Sequence, residues 1–449
     1  MPPQIGLLSV LVFIIIILWV EHKQLLDISE AVWIPSIWLL YSASKQLGTW
    51  LNIRTAIEAG SPPDRIFLVL LGFLGVLILF KRNFLWPLAW KNNRLLILIA
   101  FYMLLSALWS KTPGICFRRW GREIISLIIA CILLSEKSPL KALFSAFRKM
   151  LYIALPLSLL LIKYYPFYGR QYDRWTGGLT WVGVASQKNG LALLCAFGAL
   201  FLIFSIWQDL SRLPNLKSKF PIYLDIFMLF LCIYLFMGPE RTLKYSATST
   251  LSMFMGLASL TYFAWAIKRG AKVNSKIITV SLIIIIFIGT YLPFSRKIFI
   301  KEIPTVLGRD NTLTGRTQIW NSLVPYALNK LILGYGFGGF WTTSLREQIA
   351  SHSHNGYLDT ILDLGLIGLI LFSVFLTSIS YNCVRLINMG SNPYLIFLPI
   401  ILAFLIHNIG ETSLGNLGAF PSSLIILFSF LINEEVYRIS AIPNTRTLT

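Results

Sequence analysis

Taken as a string of apolar and polar positions, the chain is built from aliphatic runs of 15 to 22 residues separated by short segments rich in lysine, arginine, glycine and proline. A helix needs about 20 apolar residues to cross a hydrocarbon core, and backbone polar groups inside lipid must be satisfied within the helix itself. The runs therefore predict an all-α polytopic membrane bundle of twelve or thirteen transmembrane helices, one domain over residues 1–449. The predicted spans are 5–20, 31–48, 66–80, 95–110, 122–135, 149–164, 190–207, 220–238, 248–267, 277–293, 357–380, 394–410 and 417–433. Residues 11–19 have the length of a signal-peptide core, but Glu21 follows with no small-residue cleavage site, so an uncleaved span is expected.

One long interruption, residues 294–356, separates the tenth and eleventh spans. Within it Ile319, Trp320, Leu323, Val324, Ala327, Leu328 and Leu331 recur at helical spacing, opposite Gln318, Asn321 and Asn329. That pattern predicts an amphipathic helix lying in the membrane surface, with Pro325 a candidate kink and Gly334 its end.

Composition sharpens the class. The chain is 56% hydrophobic and 13% charged, with mean hydropathy +0.70, which excludes a water-soluble domain of this length. Its five cysteines are scattered, without metal-ligand spacing or a disulfide framework. The net charge of +20 divides between two faces. Lys81, Arg82, Lys91 and Arg94, then Lys137, Lys141, Arg148 and Lys149, then Arg212, Lys217 and Lys219, then Lys268, Arg269, Lys272 and Lys276 fall on one side, expected to be cytoplasmic. The opposite side also carries Arg118, Arg119, Arg122, Arg170, Arg174, Lys188, Arg241, Lys244, Arg316 and Arg346. This split accounts for the charge without nucleic acid, and the external share points to an anionic ligand.

Several external basic residues stand at the starts of helices, where the macrodipole disfavours them and unpaired N–H groups point outward. Arg122 is expected to open the 122 span, Lys188 and Asn189 the 190 span, Lys244 to precede the 248 span, His354 and Asn355 to open the 357 span, and Arg316 to lie in the first turn of the amphipathic helix. A basic helix start is a ready phosphate site, and several on one face suit a diphosphate. Interfacial snorkelling explains each residue taken singly. Asp359 and Asp363 share a face of one span, as do His407 and Glu411 of another, and intramembrane carboxylates imply either pairing or function. The aromatic segment at 163–175 fits an interfacial belt or a sugar-stacking surface.

His354-Asn355, nine residues, Gly365, two residues and Gly368 resemble the H-N-x9-G-x-x-G motif of O-antigen ligases and related polymerases. Ser106-Ala107-Leu108-Trp109-Ser110 with Pro113 resembles that family's S-x-x-W-S-x-x-P, Gln187-Lys188-Asn189-Gly190-Leu191 its K-N-x-L-G-like turn, and Thr314-Gly315-Arg316 with Trp320 its G-R-x-x-x-W. The Tyr335-Gly336 turn precedes the histidine as in the family, and the look is that of its exopolysaccharide-production branch. In one place the chain departs: Tyr245-Ser246-Ala247-Thr248-Ser249-Thr250 has serine where ligases usually carry an arginine, with Arg241 or Lys244 as substitutes.

The resemblance implies a GT-C-like glycosyltransferase in the bacterial inner membrane. It implies transfer of a glycan from undecaprenyl pyrophosphate to an acceptor hydroxyl at the periplasmic face, with lipids and a polysaccharide chain-length regulator as partners. The diphosphate leaving group needs fixed positive charge, which Arg316, Lys188 and the 118–122 arginines would supply, with no metal and no cofactor. No D-x-D pair of the nucleotide-sugar type is present. The hydroxyl proton needs a base, for which His354 is the choice and His352 the spare. Asn355 serves the site or caps the helix, Asp359 holds acceptor or base, and Trp320 completes the binding set. Polymerisation of exopolysaccharide or O-antigen repeats is the leading expectation. Ligation to lipid A core or protein comes second, and transport of an anion or lipid-linked glycan is the rival from another class.

Overall fold

The computed structural model describes residues 2–24, 27–53, 60–173, 177–211, 219–240, 243–295 and 315–441. The helices in chain order are α1 (Pro3–Gln24), α2 (Trp33–Ala43), α3 (Leu47–Trp50), α4 (Pro62–Lys81), α5 (Trp86–Asn92), α6 (Arg94–Leu105), α7 (Pro113–Leu134), α8 (Pro139–Tyr164) and α9 (Pro166–Gly169). After a short antiparallel hairpin, β1 (Arg170–Tyr172) and β2 (Leu179–Trp181), follow α10 (Lys188–Ser211), α11 (Phe220–Met237), α12 (Ala247–Lys268) and α13 (Ser275–Tyr291). Then come α14 (Arg316–Asn329), α15 (Thr343–Gln348), α16 (Gly356–Asn388), α17 (Phe397–His407) and α18 (Phe420–Ala441).

Among the described residues, eight helices are long and apolar enough to cross a membrane, or nine when the bent pair α5–α6 is taken as one span. The other helices expected to span are shorter or more charged and pack within the bundle: α2 against α8, α18 against α7, and α17 against α12. The protein is thus an all-α, multi-pass membrane protein. Buried side chains concentrate on α8, α10, α16, α17 and α18, whereas α1, α4, α12 and α13 turn most of their apolar residues outward.

Two expected boundaries move, for one physical reason. The sequence places a span start at 149, but α8 begins at Pro139 and carries Arg148 and Lys149 inside it. Lys149 pairs with Glu21 of α1 at 2.9 Å and Arg148 with Asp225 of α11 at 3.0 Å, so these cations are buried partners and not loop anchors. Likewise α7 begins at Pro113 and not at 122. Charge counts as a loop signal only when it is unpaired, and partners distant in sequence remove that signal. Arg82, at the end of α4, bonds Glu136 after α7 at 2.8 Å, which ties two of the basic clusters together at one end of the bundle.

At the opposite end α16 is broken. Gly365 has φ 67° and ψ −170°, and a β-carbon there would lie 2.1 Å from the Ile332 carbonyl oxygen, so only glycine permits the chain 331–336 to lie against the break. The carbonyls of Leu362, Asp363 and Leu364 accept from Tyr335 N–H at 2.8 Å, Gly336 N–H at 2.9 Å and the Tyr102 hydroxyl at 2.9 Å. Non-helical backbone at this depth is tolerable because protein donors replace the lost helical ones. Trp109 Nε1 donates to Leu333 O at 3.1 Å and Phe337 N–H to Ser106 Oγ at 2.8 Å. The S-x-x-W-S segment therefore serves as the dock for the inserted loop.

Candidate functional site

The turn after α17 presents Glu411. Asn408 Oδ1 accepts Ser413 N–H at 2.9 Å and Leu414 N–H at 2.7 Å, closing that turn. Glu411 is buried and is the meeting point of four elements. Arg316, the first residue of α14, donates to its Oε1 at 3.1 Å. Asn189, in the first turn of α10, donates to the same oxygen. From the loop before α16, His354 Nδ1 stands 3.5 Å from Oε1 and His352 Nε2 stands 3.5 Å from Oε2. The two imidazole rings lie 4.0 Å apart, centre to centre. Burial alone would raise the Glu411 pKa; polar contacts from His352 and His354, with the charge of Arg316, outweigh it and hold the carboxyl well below its ordinary value.

His354 has left-handed backbone, φ 54°, a conformation uncommon for a residue with a side chain and found disproportionately at functional sites. Its loop is pinned on every side. Trp320 Nε1 donates to Ser353 O at 2.9 Å, and Ser353 N–H reaches the Asp359 carboxylate at 3.3 Å. Asn355 caps α16 by accepting Leu358 N–H at 2.8 Å, and donates to Gly289 O and Ile409 O at 3.0 and 3.2 Å.

Beside this hub lies a cavity of about 1210 Å³. Leu68, Val69, Phe73 and Val76 of α4 and Ile115, Ile125 and Ile128 of α7 form an apolar wall, and Arg118, Arg119, Arg122, Arg346 and His352 form a basic head. Val69 and Phe73 are also exposed on the outer flank of α4, so the apolar wall adjoins the lipid-facing side. His352 belongs to both cavity and hub.

The sequence-predicted residues therefore separate. Arg316, Asn189 and His354 converge on Glu411. Lys188 opens α10 as expected but bonds Asp173 beside the hairpin, one residue from the hub. Arg118, Arg119 and Arg122 line the cavity from within the first three turns of α7, which corrects the expectation that Arg122 opens a helix. Arg122 pairs with Glu123 at 3.0 Å and with Asn416 at 3.2 Å, and Arg119 bonds Gly338 O. Trp320 is buried under the histidine loop, and α14 packs Ile319, Trp320, Leu323 and Ala327 into the protein rather than lying free in the membrane surface. Arg241 and the Lys244 side chain lie outside the described residues. The serine stretch reaches the hub indirectly: Ser246 Oγ donates to Asn189 Oδ1 at 3.0 Å and stands 3.1 Å from Ser249 Oγ.

Helical spacing puts Glu411 on one face with His407, as its pair or as a functional group. The side chains do not bond, and both His407 ring nitrogens are buried without a hydrogen-bond partner among the described residues. His352, His354 and Glu411 bring three ligand atoms within 4.8 Å of one another, a set of metal-binding composition. Arg316 also donates to one oxygen of this carboxylate.

The description O-antigen ligase belongs to the family model that matches residues 226–373. Over this segment, about a third of the chain, the protein is similar to O-antigen ligases. The matched stretch holds Arg316, His352, His354 and the Gly365 break, while Glu411, Asn189 and the α7 arginines lie beyond it. The chain is 21% identical over 291 residues to the exopolysaccharide production protein ExoQ of Rhizobium meliloti (strain 1021), covering 60% of this chain. It spans about 60% of the length of that relative. Both similarities agree with the motif resemblance at His354-Asn355, Gly365 and Gly368.

Proposed function

We propose that this protein is a member of the O-antigen ligase superfamily and a glycosyltransferase that moves a glycan from undecaprenyl pyrophosphate to an acceptor hydroxyl at the periplasmic face of the bacterial inner membrane, polymerising exopolysaccharide or O-antigen repeats. The carrying observation is the cavity: an apolar wall next to lipid, a head of four arginines, and His352 connecting it to the Arg316–Glu411–His354 hub. A polyprenyl diphosphate has that same division between tail and head.

In this reading the acceptor oxygen attacks the anomeric carbon, the bond from that carbon to the diphosphate oxygen breaks, and the diphosphate departs on the polyprenol. Arg316 and the α7 arginines stabilise the charge that develops on it. The hydroxyl proton passes to His354, whose Nδ1 is held toward Glu411 and whose far nitrogen remains for substrate. Glu411 binds Arg316 and the histidine loop at once, so leaving-group stabilisation and proton acceptance share one fixed reference. Arginine, being fixed in the protein, makes a metal unnecessary. Similarity to an exopolysaccharide production protein supports exopolysaccharide as the product; ligation to lipid A core or protein uses the same donor and a different acceptor.

The test is reconstitution of the full chain in proteoliposomes with an undecaprenyl-pyrophosphate-linked glycan. Release of undecaprenyl pyrophosphate with growth of glycan chains is expected, and a chelator should leave the rate unchanged. Transfer of a single glycan without growth indicates ligation. Movement of intact lipid-linked glycan between leaflets, with no bond broken, overturns the enzyme reading in favour of transport.

A further inference from the structure

Three carboxylates line the cavity: Asp64, Asp359 and Asp363. The first two are saturated. Asp64 accepts from Tyr41 Oη and Leu47 N–H on one oxygen, each at 2.8 Å, and from Gly48 N–H at 3.0 Å and the Ser61 hydroxyl on the other. Asp359 accepts from Trp341 Nε1 at 3.0 Å and from the Thr412 hydroxyl, with Ser353 N–H 3.3 Å from both its oxygens. Asp363 differs, because its Oδ1 is buried and accepts no hydrogen bond among the described residues. A carboxylate oxygen offers two lone-pair sites, and leaving them empty in a buried position is costly enough to be rare.

The place is also distinctive. Asp363 lies two residues before the Gly365 break, and its carbonyl holds Gly336 of the inserted loop. That loop in turn is held by Arg119, whose Nη1 donates to Gly338 O. The cavity lining mixes arginines of α7 with carboxylates of α4 and α16. The Asp363 carboxyl already accepts from the Gly338 and Phe340 backbone N–H groups, so what its Oδ1 lacks is one further donor, and a sugar hydroxyl supplies a neutral one.

We propose that Asp363 is a binding residue for the acceptor, its Oδ1 receiving a hydrogen bond from a sugar hydroxyl of the incoming acceptor glycan. This rests on the transferase reading. It makes Asp363 a second point of recognition, distinct from His354, that selects sugar over water.

Full-length wild type, Asp363→Asn and Asp363→Leu are compared in proteoliposomes with the same undecaprenyl-pyrophosphate-linked glycan. Three quantities are read: undecaprenyl pyrophosphate binding, thermal midpoint, and the partition of released glycan between transfer to sugar and hydrolysis by water. Asp363→Leu should lower transfer about 3- to 10-fold, the range for losing one hydrogen bond. Carrier binding should stay within about twofold of wild type, and the partition should shift toward hydrolysis. Asp363→Asn, which keeps a carbonyl acceptor, should fall between. Unchanged partition in both variants, or loss of carrier binding in parallel with transfer, overturns the proposal while leaving the transferase reading intact. A wild type that releases no undecaprenyl pyrophosphate removes that reading and this one together.

Discussion

Charge is buried at both ends of this bundle, in two different ways. At the basic-loop end, Glu21 pairs with Lys149, Arg148 with Asp225, and Arg82 with Glu136, each acid having its own cation and added hydroxyl partners such as Ser145 for Glu21 and Tyr152 for Asp225. At the other end a single carboxylate, Glu411, is shared by Arg316, Asn189, His352 and His354, and Asp363 nearby keeps an empty oxygen. Matched pairs are closed and join helices. A shared carboxylate with spare donors and acceptors around it is open, and open polar groups in a low-dielectric site are where a ligand gains most.

The comparison breaks most severely at Glu411. Glu411→Gln should cut transfer by about 10²- to 10⁴-fold, because it releases Arg316 and the histidine loop together; wild-type rates of undecaprenyl pyrophosphate release in that variant would dissolve the distinction. Arg316→Ala should cost about 10²- to 10³-fold, and Arg316→Lys should recover little, since a point charge does not reproduce the guanidinium fork. His354→Asn should lose about 10²-fold or more of the rate while keeping its thermal midpoint, because asparagine tolerates the left-handed backbone that His354 adopts.

At the closed end the expectation inverts. Lys149→Met strands a buried Glu21 and should destabilise the fold by about 3 to 5 kcal/mol, with the rate per folded molecule unchanged. Adding Glu21→Gln should restore most of that loss in a thermal melt. The smallest effect concerns pH. The Glu411 carboxyl is held below its ordinary value, so its stabilisation is present above the unfolded pKa of about 4.3 and is lost only as pH falls through the folded value. The difference in thermal midpoint between wild type and Glu411→Gln should therefore stay flat from about pH 8 to pH 5 and shrink below about pH 4. A difference that fades already near pH 6 would show the hub to be tuned differently.

The motif residues were legible, but several of their roles were not. Gly365 was visible as a spaced glycine; that it permits a break into which residues 331–336 insert depends on Ile332 lying against it. Trp320 and Asn355 were read as site residues with a capping alternative for Asn355, and both hold the histidine loop. Arg122 was placed at a helix start because three arginines looked like a loop, whereas α7 carries them into the bundle where Glu123, Asn416 and Gly338 meet them.

What the sequence determined alone is what depends on neighbours in the chain: apolar runs long enough to cross a membrane, the amphipathic face of α14, the capping Asn355 and the short motifs. Periodicity and local hydrogen bonding are properties of a few adjacent residues, so they can be read without coordinates. Only the tertiary structure chose Glu411 as the hub. It lies 95 residues from Arg316 and 222 from Asn189 along the chain, and the partners of a buried charge are set by which helices pack together, a matter that no local pattern records.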